Sequence, residues 1–318
     1  MRAPLARPVR ARVREALAGC GILHVQYPFF LGHVAIDEAR QLGIPVICSF
    51  HVQPENILDN LGLSSRMLSG WLYRLFARAF YNRADRVIAP SRFAADLLRA
   101  HGVTRPVTVL SNGVPEVFFQ AKEPLPGDRF QLLAVGRLAR EKQQETLIRA
   151  AATSRHSERI HLTIGGVGPE ESALRALAAE LGVRAQIGWL GDPELLHAYA
   201  RADLVVHAGT AELEGMSVLE AMAAGNTVLV ADSLDSACAH FVTEPQARFA
   251  AADYRELAGK IDYWLDHAEA RRSRGEANRR FARTLSHERS VATLACLYRA
   301  LLDDPGSAAS AESGGRPR

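Results

Sequence analysis

Short apolar runs alternate with amphipathic stretches along almost the whole chain, and that alternation leaves few folds open. Ile22 to Gln26, Pro45 to Phe50, Arg86 to Ala89 and Val107 to Leu110 read as strands. Helical spacing fills Gly32 to Leu42, Arg66 to Tyr81 and Arg92 to His101, with Ser91 placed as an N-cap of the last. The pattern then resumes. Phe130 to Val135, Ile160 to Ile164, Ala185 to Trp189, Leu204 to His207 and Thr227 to Ala231 are strand candidates. Helices fit Gln143 to Ala152, Glu170 to Leu181, Pro193 to Arg201, Met216 to Ala224 and Tyr254 to Asp266, then Ala268 to Thr284 and His287 to Leu302. Strands separated by helices pair in parallel and are covered on both faces, so the fold class is α/β with two Rossmann-type domains. A length of 318 residues suits two such cores. Pro124, Pro126 and Gly127 make Lys122 to Asp128 a linker, which divides the chain into 1–122 and 123–303; residues 304–318, rich in Ser, Gly, Ala and Pro, read as a disordered tail.

Composition removes several function classes. No apolar run is long enough to span a bilayer; Gly21 to Leu31 and Asp203 to His207 read as buried strands. Met1 to Arg14 carries five arginines without the apolar core of a secretory signal, so a cytoplasmic location is expected. Cys20, Cys48, Cys238 and Cys296 stand far apart without metal-ligand spacing, and buried, reduced thiols are the expectation. Met1 to Lys122 holds 15 basic and 8 acidic residues, a net of +7, and the rest holds 23 and 27, a net of −4. The first part therefore favours an acidic partner. Nucleic acid is not expected, because no zinc finger, aromatic RNA-binding motif or basic helix accompanies that charge.

Three strand-to-helix junctions carry residues suited to an anionic, hydroxylated ligand. Glu212 and Glu220 bracket a stretch in which Gly209, Thr210 and Gly215 precede a helix opening at Met216 and Ser217. Backbone N–H groups can approach an anion there, and carboxylates beside it can hold hydroxyls. A glycosidase pair fits poorly: a fully helical offset of eight separates the carboxylates by roughly 12 Å, against about 5 to 9.5 Å for such pairs. The plainer alternative is a solvated loop residue and a surface helix residue. Gly136-Arg137-Leu138-Ala139-Arg140-Glu141-Lys142 follows a strand and offers two cations to phosphate, or else forms a solvated basic turn. Gly166 and Gly168, in Gly165-Gly166-Val167-Gly168-Pro169-Glu170, lie at a similar junction, where a tight turn needs glycine in any case. His51 stands just past a buried strand, as a ligand contact or a satisfied structural histidine. Within Arg66 to Arg86, Trp71, Leu72, Leu75, Phe76, Ala79 and Phe80 can share one helix face, to lie on an anionic membrane or to pack into the domain's own core.

Glu212 to Gly225 resembles the E-x7-E signature of retaining family-4 glycosyltransferases of the GT-B fold, through its Glu-Ala-Met-Ala-Ala-Gly continuation. The Gly136 to Lys142 run resembles that family's G-R-L-x-x-E-K motif, Gly166 to Pro169 its G-x-G-P element, and Ile44 to His51 its strand ending in histidine. Pro90-Ser91-Arg92 and Ser111-Asn112-Gly113-Val114 match further landmarks. The resemblance implies two Rossmann-type domains with parallel sheets facing a cleft, a last helix crossing back to the first domain, and a nucleotide-sugar donor held by the second domain. It assigns the diphosphate to Arg137 and Lys142, the donor sugar to Glu212 and His51, and the ribose to Glu220. Gly136, Gly166, Gly168, Gly215, Met216 and Ser217 join the donor site. Neither cofactor nor metal is implied. The acceptor, a glycan or a lipid-linked hydroxyl, belongs to the first domain, at the inner face of the membrane if Arg66 to Arg86 binds there. Two departures stand out. Asp232 to His240 replaces a common Gly-Gly turn, and the strand and Gly-rich loop that usually open the first domain are missing, while Val9 to Ala18 resembles the helix that follows them, so the first domain reads as truncated with an open sheet edge. The expected reaction is hexose transfer from a nucleotide diphosphate sugar to a hydroxyl, with retention and without a metal. A catalytically silent nucleotide-sugar-binding subunit and a sugar-nucleotide epimerase are the rival readings.

Overall fold

The computed structural model of the chain describes residues 7–60, 63, 65–119, 122, 123 and 128–303. It resolves into two compact units, Met1–Ser111 with Ser290–Arg318, and Asn112–Arg289.

The first unit runs α1 (Arg10–Leu17), β1 (Leu23–Val25), α2 (Phe30–Gln41), β2 (Val46–Ser49), α3 (Pro54–Asn60), α4 (Arg66–Ala79), β3 (Arg86–Ala89), α5 (Arg92–Ala100) and β4 (Val107–Val109). Its four strands pair in parallel in chain order, β1-β2-β3-β4, with Leu23 opposite Val46, Ile47 opposite Arg86 and Val87 opposite Val107. All of β2 is buried, as a parallel strand covered on both sides must be, and each large side chain so removed from water contributes about 1.5–3 kcal/mol. Asp85 ties β2 to β3 by accepting from the Val46 N–H at 2.8 Å. The buried carboxylate of Glu38 on α2 is met by Arg10 and Arg14 of α1, which offsets the cost of burying it. Ser91 caps α5, accepting from the Ala94 N–H at 3.0 Å.

The second unit continues with β5 (Phe130–Val135), α6 (Gln144–Thr153), β6 (Ile160–Gly165), α7 (Glu171–Glu180), β7 (Ala185–Gly188), α8 (Asp192–Arg201), β8 (Leu204–His207), β9 (Ala211–Glu212) and α9 (Met216–Ala223). Then come β10 (Thr227–Asp232), β11 (Asp235–Ser236), α10 (Cys238–Phe241), β12 (Arg248–Ala250), α11 (Tyr254–Asp266), α12 (Ala268–Arg283) and α13 (His287–Asp303), whose residues from Ser290 onward belong to the first unit. There Leu301 packs on Ile47 and Ile88, and the Tyr298 hydroxyl lies 2.6 Å from His24 Nδ1. The six-stranded parallel sheet of the second unit has the order β12-β10-β8-β5-β6-β7, and β9 pairs separately with β11. In that order β5 has β6 on one side and β8 on the other, so the direction of winding reverses between β5 and β8. Open α/β sheets bind their ligands at the carboxyl ends of strands at such a reversal.

Several expectations need correction. Gly21 to Leu31 is not one buried strand: β1 ends at Val25, and Tyr27, Phe29, Phe30 and Leu31 are exposed. The aromatics that make this run apolar lie on the surface rather than in the core. Cys48 and Cys238 are buried, whereas Cys20 and Cys296 are exposed. The apolar face read in Arg66 to Arg86 is neither wholly buried nor wholly exposed: Phe80 is buried while Trp71 is 55% and Leu75 42% exposed, and the buried side of the helix is set by Ser69, Tyr73 and Ala77, so the helix is apolar on two sides. Helices α3 and α10 and strands β9, β11 and β12 are additional, each too short for a periodic signal. Residues 304–318, read as a tail, and 124–127 of the linker lie outside the described residues.

Candidate functional site

Four loops at the carboxyl ends of β5, β6, β8 and β10 converge in the second unit, and glycine is what lets them. Gly136 (φ 155°) turns the chain out of β5, and its N–H donates to Gly165 O at 3.0 Å at the end of β6. Gly166 (φ 156°) lies so close to the Gly136 carbonyl that a Cβ would sit 1.9 Å from its oxygen. At Gly168 a Cβ would sit 2.1 Å from Leu138 O. The two loops lace together: Leu138 N–H donates to Val167 O at 3.0 Å, and Glu170 N–H to Leu138 O at 3.1 Å.

The first loop then passes through a 3-10 turn, Arg140–Lys142, and reaches α6 through Gln143 in the left-handed region at φ 52°. Gln144 Nε2 donates to Arg137 O at 2.8 Å and holds the turn against the helix. This places Lys142 over the end of β8. Its Nζ donates to Glu212 Oε1, and both side chains are mostly buried, at 17% and 18% exposure. Arg137 is exposed, with no ion-pair partner among the described residues.

Glu212 does not lie on a helix. It ends β9, where the Ala237 N–H donates to its carbonyl at 2.8 Å, and Gly215 (φ 78°) intervenes before α9 opens at Met216 and Ser217. A Cβ at Gly215 would sit 2.3 Å from Cys238 Sγ. The all-helical spacing used against a glycosidase pair therefore fails in its premise, although the two glutamates do have different surroundings. Glu220 sits in the middle of α9 with Oε2 accepting from the Tyr199 hydroxyl at 3.0 Å. Burial pushes its pKa up to about 7, and the hydrogen bond from Tyr199 only partly opposes this. Glu212 is held below the usual carboxylate range: its burial would raise it, but His207 and Lys142 together prevail.

Two contributors escaped the sequence reading. His207, the last residue of β8, is 6% exposed and brings Nε2 within 3.3 Å of Glu212 Oε1, too poorly aligned to count as a hydrogen bond. Glu214 is buried and accepts from the Asn112 backbone N–H at 3.2 Å and from its side-chain Nδ2 at 2.5 Å, which fixes the loop before α9. His207 could have been found by the reasoning applied to His51, since both close a buried parallel strand. Glu214 carried no such signal.

The structure thus gathers Gly136, Lys142, Gly166, Gly168, Glu212 and Gly215 at one end of the second sheet, with Met216 and Ser217 at the mouth of α9 and Glu220 one turn further along it. His51 belongs to the first unit, at the carboxyl end of β2. Its Nε2 meets Gln26 Oε1 at 3.0 Å, and burial lowers its pKa. Beside it His24 is pinned between Tyr298 and Ser49 Oγ, the latter at 2.7 Å from Nε2; burial, with a smaller push from His51, brings its pKa down to about 4, so it is neutral at physiological pH.

Comparison with known proteins follows the same division. Residues 116–281 match the family described as "Glycosyl transferases group 1", and residues 1–117 match "Glycosyltransferase Family 4". The alpha-monoglucosyldiacylglycerol synthase of Streptococcus pneumoniae is 28% identical over 225 residues, covering 65% of this chain and 51% of that protein. A GDP-mannose-dependent alpha-mannosyltransferase of Mycolicibacterium smegmatis is 31% identical over 240 residues, 72% of this chain and 61% of that one. The chain spans about half to three-fifths of the length of these two relatives. Anabaena HepE, solved in complex with UDP, superposes with a TM-score of 0.77 at 18% identity over 92% of this chain and 82% of that one, a likeness of fold.

Proposed function

The chain belongs to the group 1 glycosyl transferases and has their two-unit GT-B fold, and from that premise we propose that it moves a hexose from a nucleotide diphosphate sugar to an acceptor hydroxyl with retention of configuration. The observation that carries this reading is the Lys142–Glu212 pair, formed by the segments that follow β5 and β8, beside two glycine loops locked backbone to backbone. An ammonium already resting on a carboxylate is poised to exchange that partner for a diphosphate.

We assign the diphosphate to Lys142, to the exposed guanidinium of Arg137 and to the backbone N–H groups of Gly215, Met216 and Ser217 at the start of α9. Glu212 takes hydroxyls of the sugar, and Glu220 takes those of the ribose. In the transfer the bond from the anomeric carbon to the diphosphate oxygen breaks, its electron pair leaving with the nucleotide. The acceptor oxygen forms the new bond, and its proton passes to the departing phosphate. Negative charge grows on the diphosphate as this happens, so fixed cations stabilise the transition state more than the ground state. These cations serve in place of a metal, and activity is expected to survive a chelator.

The donor side of this reading lies in the second unit and the acceptor side in the first. The names of the relatives make GDP-mannose a first donor to try and a glycerolipid a first acceptor. Action in the cytoplasm, at the inner face of a membrane, fits the outer face of α4. At about 100° per residue, Met67, Trp71, Leu75 and Leu68 form one exposed apolar arc; the exposed Arg74 lies at its edge, and the exposed Arg78 falls within it in the last turn of the helix. No acidic residue interrupts the helix. An exposed apolar arc accompanied by arginines suits the interface of an anionic bilayer.

The test is thermal-shift and transfer measurement on the full chain against UDP, GDP and ADP sugars, since a bound ligand stabilises in proportion to its occupancy. Selective stabilisation with transfer supports the reading. Stabilisation without transfer to any acceptor would make the chain a silent donor-binding subunit, consumption of the donor without acceptor would make it an epimerase, and no response across the panel would overturn the assignment.

A further inference from the structure

Glu212 Oε1 is approached by two side-chain nitrogens in this structure, the Lys142 ammonium and the His207 imidazole. Lys142 comes from the ligand side, and His207 comes from beneath, at the end of β8, with its ring enclosed by Gly209. Apart from Glu212, the titratable group that faces His207 is the thiol of Cys238 on α10. Burial alone would strip the imidazole of its proton, yet Cys238 and Glu212 together hold its pKa far above the ordinary value.

This inference rests on the donor-site reading. If Lys142 leaves Glu212 for a diphosphate, Glu212 is left as a mostly buried carboxylate. An uncompensated charge in such a place costs several kcal/mol, and the group takes up a proton instead. A protonated Glu212 would donate one hydrogen bond where a carboxylate accepts several, and its hold on sugar hydroxyls would weaken. The arrangement avoids this, because Glu212 faces the imidazole of His207 as well as Lys142. With the donor bound, Lys142 meets phosphate and His207 still meets Glu212.

We propose that His207 is a positioning residue of the donor site, a buried cation that keeps Glu212 ionised and aimed at the sugar when Lys142 transfers to the diphosphate. It touches no substrate. Its effect is read in protons as well as in affinity, which a merely structural side chain would not produce.

The experiment is calorimetric binding of UDP-glucose and GDP-mannose to the full chain at pH 7, repeated in buffers of different ionisation enthalpy to count protons exchanged. Wild type is expected to bind one of them with no net proton uptake. In His207→Gln the affinity should fall roughly tenfold, the scale of one charge-assisted partner lost, and uptake should approach one proton. Adding Glu212→Gln to His207→Gln should abolish that uptake. His207→Asn serves if the glutamine variant does not fold. Equal proton uptake in wild type and both histidine variants overturns the proposal and leaves the donor site standing. Failure of wild type to bind either nucleotide sugar sinks the donor-site reading and this inference with it.

Discussion

Gly166→Ala is the sharpest test of how the second unit builds its ligand-binding end. The residue has φ 156°, a backbone conformation essentially confined to glycine, and forcing alanine into it costs about 1–3 kcal/mol. The added Cβ would also lie 1.9 Å from Gly136 O and 2.9 Å from Gly136 C. Neither atom can yield easily, since Gly136 N–H is bonded to Gly165 O and Gly166 N–H to Gly188 O at 2.8 Å. Overpacking of this kind adds about 1–3 kcal/mol, so the expected loss is about 2–6 kcal/mol. Gly182→Ala is the matched control in the same unit: φ is 66° and nothing lies within 4 Å of its Cβ, so only a backbone cost of about 1–2 kcal/mol applies. Urea unfolding of both variants measures the difference. If Gly166→Ala loses no more than Gly182→Ala, the backbone contact between the two glycine loops is not what the geometry says it is.

Other outcomes follow from the same structure. Glu212→Gln should leave the fold intact and lower kcat/KM for transfer by about 100-fold or more; unchanged turnover would remove Glu212 from the site. Glu220 has a pKa near 7 in the fold against 4.5 otherwise, so its protonated form is the one folding favours. Its contribution is therefore present below about pH 4.5 and is lost as pH rises through 7, by at most about 3 kcal/mol. Glu220→Gln should be more stable than wild type at pH 8 and lose that advantage at pH 4.5, and urea midpoints at the two values decide it. Replacing Met67 and Trp71 together by serine should abolish salt-sensitive flotation with phosphatidylglycerol vesicles while the melting temperature holds. Wild-type protein that fails to float with them even at low salt would exclude the bilayer contact.

Much of the architecture was legible because parallel strands buried on both faces announce themselves as short apolar runs. Arg86–Ala89, Phe130–Val135 and Leu204–His207 were read residue for residue, as was the Ser91 cap. What stayed hidden depended on which side of an apolar stretch meets solvent. Trp71 and Tyr73 are both large and aromatic, yet one is 55% exposed and the other 3%. Only the neighbours across the fold decide that. The site divided along similar lines. Glycines and charged residues in strand-to-helix turns were visible, whereas His207 ended a strand and was counted as core. The pairing of Lys142 with Glu212, 70 residues apart, is set by strand order and had no local sign.

The first unit is assembled from two separated stretches, with Leu301 and Tyr298 of α13 completing the surface of β2 and β3. On the ribosome this imposes a schedule. Residues 112–289 must be synthesised after β4 and before that helix, an interval of roughly 10 to 35 s at ordinary translation rates. The second unit is continuous and can close its sheet during that time, while Ile47 and Ile88 wait without their cover. A message cut short before Ser290 would therefore release one finished half and one with an open apolar face, the kind of species that chaperones hold and proteases clear.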